Sequence, residues 1–227
     1  MPKIHDRLLQ VQNRILDALK DAGRSDTETD LLAVSKTKPA EQVREAYRAG
    51  QRKFGENYLQ EALDKQLLLQ DLEIQWHFIG PIQSNKTRAI AENFDWVHSV
   101  DRVKVARRLN DQRPAQFEPL NICVQVNLDQ ESSKAGVSLD ELPALLESIS
   151  KLPHICVRGL MAIPAPRSDR QAQQQAFDRL ASALADLTPR YETMDTLSMG
   201  MSKDLEAAIG AGSTLVRIGT DIFGARD

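Results

Sequence analysis

The run LLAVSKTKP at 31–39 places Lys36 directly after an apolar, strand-like segment. An amine at the end of such a strand is partly desolvated, which favours its neutral, nucleophilic form. A neutral amine condenses with an aldehyde to give a Schiff base. The plain alternative is a lysine that snorkels to solvent or pairs with a carboxylate. Lys38 offers the same group but abuts Pro39 at a helix start, where solvation is expected. Near the other end, Ser202 reads as the N-cap of a helix, and Gly219 and Thr220 follow the apolar run LVRIG. A glycine lets backbone amides approach a ligand closely, so these residues suit an anion such as phosphate. Three or four hydrogen bonds to a charged group, at roughly 1.5–3 kcal/mol each, would anchor it. Alternatively, Ser202 is only a cap and Gly219 only a turn. Arg217 lies inside LVRIG, where a charge needs a partner. That partner is either a buried carboxylate or the ring nitrogen of a ligand.

Such groups act together only if the fold brings their strands' ends to one face. Ile4, Leu8, Val11, Ile15 and Leu19 recur at spacings of three and four, which predicts a first helix ended by Gly23. Strands and helices then alternate. The strands are expected at 31–35, 53–55, 74–80, 95–99, 121–128, 155–163, 196–200 and 215–219. Helices are expected from Pro39 to about Ala49, from about Asn57, near Ser84, after Asp101 as N-cap, after a Ser138–Glu141 capping box, over about 169–187, and from Ser202. Near-continuous apolar strands separated by helices imply a parallel sheet covered on both faces. Eight such units predict an α/β fold, a single (β/α)8 TIM-type barrel over residues 1–227 with an extra N-terminal helix. An open doubly wound sheet is the runner-up, since periodicity does not show closure. In the barrel, the active face lies at the carboxyl ends of the strands, and the loops after strands seven and eight form the usual phosphate site. Closure would also make strand one the neighbour of strand eight.

The chain has 227 residues, 41% of them hydrophobic and 27% charged, with a net charge of -3. That balance fits a water-soluble globular protein and gives no electrostatic reason to expect nucleic acid or an anionic membrane. Cys123 and Cys156 both lie in apolar runs and read as buried, reduced thiols. No zinc spacing is visible, and His5, His98 and His154 lack metal-ligand spacing, so no metal is expected. His77, inside a strand, reads as a satisfied core or barrel-top histidine rather than an acid–base catalyst. Ser198 and Met199 could line a pocket wall, and Lys134, in ESSKAG, could meet a ligand at the mouth or be a solvated loop lysine. With neither a leader-like start nor a spanning apolar stretch, a cytoplasmic protein is expected.

Five motifs, LLAVSKTKP, FGENYLQEA, WHFIGPIQSNK, LSMGMSKDLEAAI and VRIGTDIFGAR, occur in this order along the chain. Together they resemble the pyridoxal phosphate homeostasis protein family, once described as proline-synthetase-associated, whose fold resembles the barrel domain of alanine racemase. The resemblance implies pyridoxal 5′-phosphate (PLP) held as a Schiff base on Lys36. It implies phosphate contacts near Ser202, Gly219 and Thr220, a pyridine-nitrogen contact from Arg217, and Asn57 near the ring. The implied function is intracellular vitamin B6 homeostasis by a monomeric, non-enzymatic PLP-binding protein, with PLP-dependent apo-enzymes as conceivable recipients. The alternative is a PLP-dependent amino-acid racemase of alanine racemase type. That chemistry needs a second proton-transfer group, which alanine racemase takes from an extra β domain and a partner subunit. This sequence ends at Asp227, just past the last strand, so that domain is expected to be absent. A cofactor-free lysine aldolase using Lys36 on a sugar phosphate is a third reading.

Overall fold

The computed structural model describes residues 3–131 and 134–225; Arg226 and Asp227, at the end of the last motif, lie outside them. The chain opens with α1, Ile4–Asp21, and then alternates. The first half comprises β1 (Asp30–Val34), α2 (Ala40–Arg48), β2 (Lys53–Glu56), α3 (Leu59–Leu68), β3 (Gln75–Phe78), α4 (Thr87–Asn93), β4 (Trp96–Val100) and α5 (Val103–Gln112). The second half comprises β5 (Leu120–Val126), α6 (Leu142–Ile149), β6 (Ile155–Ala162), α7 (Arg170–Leu187), β7 (Thr196–Ser198), α8 (Leu205–Gly210), β8 (Leu215–Ile218) and α9 (Thr220–Phe223). All eight strands are parallel and form a closed barrel in chain order. The seam joins β1 to β8, from Asp30 opposite Leu215 to Ala33 opposite Ile218. The open-sheet alternative is therefore excluded.

Strand alternation splits the interior into two compartments. Ala33, Phe54, Phe78, Val97 and Ile122 face outward and pack under the helices in the main apolar cluster. The intervening residues face the barrel lumen, where Trp96, Cys123 and Met161 form a separate small cluster. Leu32 and Arg217 are register partners across the seam and share the lumen face. Val34 follows on that face, and Lys36 is next in the same alternation.

On α1, Ile4, Leu8, Val11, Ile15 and Leu19 are all buried, as their spacing requires, and Gly23 turns away at φ 67°. Several expected helix starts move. The helices expected at Asn57 and Ser84 begin at Leu59 and Thr87. Asp101 does not cap α5; its carboxylate bonds Arg102, which takes the cap position without a side-chain bond. Ser138 and Glu141 make the reciprocal bonds of a capping box, at 2.9 and 3.2 Å, yet the α-helical run begins only at Leu142, with Pro143 in its first turn. Ser202 does not cap α8. A turn intervenes, Asp204 occupies the cap position, and its carboxylate accepts the Met201 N–H at 2.6 Å. Cys156 is half-buried rather than buried, while Cys123 is fully enclosed and burial pushes its thiol up to about 12.

Candidate functional site at the strand ends

The seam sets the site. Ala33 pairs with Ile218, so Lys36 and Gly219 both stand just beyond the carboxyl ends of adjacent strands. Lys36 is half-buried. A Cβ added to Gly219 would lie 3.1 Å from the Val34 carbonyl and 3.4 Å from the Val34 Cβ. The glycine thus lets the chain leaving β8 lie directly on the end of β1. Thr220 is exposed and opens α9, while Ser202 is half-buried in the turn before α8. No acceptor among the described residues takes the backbone N–H of Ser202, Gly219 or Thr220.

The extra helix α1 braces these two loops. Arg14 donates to the Ser202 carbonyl at 2.8 Å, to both Glu206 carboxylate oxygens at 2.5 and 2.9 Å, and to Asp221 at 3.2 Å. One guanidinium therefore ties the β7–α8 turn, α8 and α9 together. Its planar fork suits such multidentate bonding better than an ammonium would.

Below the rim lies Arg217, only 5% exposed. Its Nη1 donates to the Ser198 carbonyl at 2.5 Å and to Ser198 Oγ at 2.7 Å, and its Nη2 donates to the Ala162 carbonyl at 2.9 Å. A buried carboxylate partner was one reading of this arginine; its ion-pair partner is absent among the described residues. Three of its five N–H donors are used by neutral acceptors. Burial pushes the guanidinium down to about 10, so it stays charged at neutral pH.

A polar chain continues from it through the lumen. Ser198 Oγ lies 2.8 Å from His98 Nδ1, His98 Nε2 lies 2.9 Å from His77 Nδ1, and His77 Nε2 lies 3.1 Å from Gln75 Oε1. An amide oxygen only accepts, so with Gln75 in this orientation His77 Nε2 carries its proton. Each further step then has one solution: His98 Nε2–H donates to His77, the Ser198 hydroxyl donates to His98, and Arg217 donates to Ser198. Both imidazoles are neutral. Burial drives the His98 pKa down to about 3, assisted by the Arg217 charge. Burial also holds His77 well below its ordinary value, assisted by His98 and Lys53. His77 is thus a satisfied core histidine, stacked on Trp96 at 5.4 Å.

Asn57 follows β2, and its Oδ1 is buried without a partner among the described residues. Its backbone is wedged against Gly80, where an added Cβ would fall 2.1 Å from the Asn57 carbonyl. Lys38 donates to the Ala225 carbonyl at 2.6 Å in an exposed hydrogen bond. Lys134 pairs with Glu131 at 2.7 Å in the loop after β5. Behind Lys36, sequence reasoning missed a buried group formed by Ser35, Glu56 and Lys65, with Glu61 at its edge. The charged spacing of FGENYLQEALDK could have flagged it, because Glu56 ends a strand and Lys65 lies on the buried side of α3. Among the described residues, no three His, Cys, Asp or Glu side chains gather as a metal site. Nor is any helix among them long and apolar enough to cross a membrane.

Comparison with known proteins identifies the lineage. The family model described as alanine racemase, N-terminal domain, matches residues 12–227. The pyridoxal phosphate homeostasis protein of Pseudomonas aeruginosa is 60% identical over all of this chain and 97% of its own length. PipY of Synechococcus elongatus, solved with PLP bound, is 37% identical with a TM-score of 0.84, covering 98% of this chain and all of that one. An alanine racemase of Clostridium difficile shares the fold, with a TM-score of 0.74 at 11% identity, over 94% of this chain and 59% of its own. The barrel, its motifs and these relatives agree: the chain belongs to the alanine racemase N-terminal domain family and, within it, to the pyridoxal phosphate homeostasis proteins.

Proposed function

We propose that this protein binds PLP reversibly at the carboxyl-terminal rim of the barrel and serves vitamin B6 homeostasis without fast catalysis. The observation that carries the reading is the β1–β8 register, in which Ala33 lies opposite Ile218, so that Lys36 and the Gly219–Thr220 turn follow adjacent strands at the same end of the barrel. When bound, PLP supplies an aldehyde that condenses with an amine. Lys36 would provide that amine, half-buried at the strand end, and hold the ligand as a Schiff base. Ser202, Gly219 and Thr220 would hold the phosphate through the Ser202 and Thr220 hydroxyls and through backbone amides that no acceptor among the described residues takes, with α9 as the short extra helix that such barrel sites use. Arg217 would donate to the pyridine nitrogen with an N–H left over from its three internal bonds, and Asn57 would flank the ring. A charged guanidinium at that nitrogen disfavours its protonation, which makes the ring a weaker electron sink. A monomeric, cytoplasmic protein that passes PLP to apo-enzymes is the setting we infer for it.

Absorption spectroscopy before and after borohydride, with peptide mapping, tests this reading. Lys36→Ala should abolish the visible band and the reduced adduct, leaving weaker, non-covalent binding through the phosphate. Lys38→Ala should largely preserve both. An adduct found mainly on Lys38, Lys134 or another lysine of the unmutated protein would refute the assignment.

A further inference from the structure

Ser35 and Thr37, the two neighbours of Lys36, are both held from behind by one ammonium group. Lys65 Nζ donates to the Ser35 carbonyl at 2.7 Å, to Glu56 Oε1 at 2.7 Å and to Glu61 Oε1 at 2.6 Å. The Ser35 hydroxyl donates to the same Glu56 oxygen at 2.6 Å. Glu61 Oε1 in turn accepts the Thr37 backbone N–H at 2.6 Å. The residue before Lys36 is thus gripped directly, and the residue after it through Glu61.

The register shows that this clamp lies outside the lumen. Val34 pairs with Gly55 on the lumen face, so Ser35 and Glu56 project to the opposite face, toward α3. Ser35 and Glu56 are fully buried and Lys65 is 5% exposed. A ligand bound in the barrel mouth would touch none of the three side chains. Buried ion pairs add little net stability, and apolar replacement is often neutral or better. Fixing geometry is a role that apolar packing could not fill here. Thr37 needs such fixing: its φ is 61°, in the left-handed region that a β-branched residue rarely adopts. Lys65 is also disarmed as a nucleophile, because all three of its N–H donors are engaged.

We propose that Lys65, Glu56 and Glu61 are positioning residues for Lys36: they fix the backbone from Ser35 to Thr37 and so aim the Lys36 amine into the barrel mouth. The proposal rests on the PLP-binding reading above. It assigns the clamp to the covalent link alone, not to the affinity of the phosphate site.

Two ligands separate those roles. PLP carries the aldehyde, while pyridoxine 5′-phosphate has the same ring and phosphate with an alcohol in its place. The variants are Glu61→Ala, Glu61→Gln and the pair Glu56→Gln with Lys65→Met, which removes both fully buried charges together and leaves only the partly exposed Glu61 without its cation. In Glu61→Ala and in the pair, the Lys36 adduct should form about tenfold more slowly or worse, while pyridoxine 5′-phosphate affinity changes less than about threefold. Glu61→Gln keeps an acceptor for Thr37 and should recover most of the rate. Adduct formation at the unmutated rate in both Glu61→Ala and the pair would overturn the proposal, as would equal losses for the two ligands. If the unmutated protein forms no adduct on Lys36, the functional reading itself fails.

Discussion

The buried imidazole pair should make the protein sensitive to mild acid, with a size that follows from its geometry. His77 and His98 are fully enclosed and neutral in the native state. His98 would accept a proton only near pH 3, and His77 only well below its ordinary value of 6.5. In the unfolded chain both protonate around 6.5. Between these limits the unfolded state binds more protons, so stability is fully present above 6.5 and falls as the pH drops below it. From pH 7.5 to 5.5 His98 should cost about 1.4 kcal/mol, and His77, held low in the same direction by the same burial, should add to the loss. Urea unfolding at pH 7.5, 6.5 and 5.5 measures it. The doubly substituted His77→Gln, His98→Gln protein serves as the reference; it should start less stable but lose most of the pH dependence. Equal stability of the unmutated protein at pH 7.5 and 5.5, or an unchanged slope in the double variant, would refute the account of the lumen.

Two further outcomes concern the ligand. Ser202→Ala and Thr220→Val should weaken PLP much more than pyridoxal, by roughly tenfold per lost charged hydrogen bond; equal losses in titrations with both ligands would move the phosphate site elsewhere. Turnover of amino acids, followed by chiral chromatography, should stay below about 1 s⁻¹, the low end of ordinary enzyme rates. Faster racemisation or transamination of any amino acid would overturn the holding role.

The alternation of strands and helices and the placing of Lys36 and Gly219 at strand ends were legible because each rests on apolar runs; closure was expected from the count of eight units but rests on the β1–β8 pairing, which periodicity does not show. LLAVS and LVRIG read as buried strands between turn and helix signals, and their ends bring the reactive residues with them. Local polar detail was less legible. Ser202 has the chemistry of an N-cap, yet Asp204, two residues on, takes the cap position and the intervening residues form a turn. Asp101 was drawn away by the adjacent Arg102. Sequence cannot rank such competing acceptors, whose bonds differ by fractions of a kcal/mol. Arg217 was recognised as buried, but its partners are carbonyls and a serine hydroxyl, contributed by β6 and β7, which no local pattern reveals. Lys65 and Glu56 escaped for a related reason. They lie nine residues apart on different elements, and charged residues in a helix normally read as its solvent face. Arg14 belongs with them: its spacing on α1 marks a polar position, while its partners lie about 190 residues away.

The seam between β1 and β8 also has a consequence for biosynthesis. Lys36 and Gly219 lie 183 positions apart in the sequence, and the strand that brings them together is the last of the eight. While a ribosome is still extending the chain, strands one to seven have an unpaired edge at each end and no complete binding rim. If Lys36 and the two loops hold PLP as proposed, a nascent chain would not capture it through both until the final strand has emerged and docked. Once that happens, a ligand spanning the junction works as a clasp. At a concentration 100 times its dissociation constant, it would deepen the closed state by about 2.7 kcal/mol relative to any unfolded form that does not bind it. Bound as proposed, PLP would couple vitamin supply to the survival of newly made barrels through that one line of strand pairing.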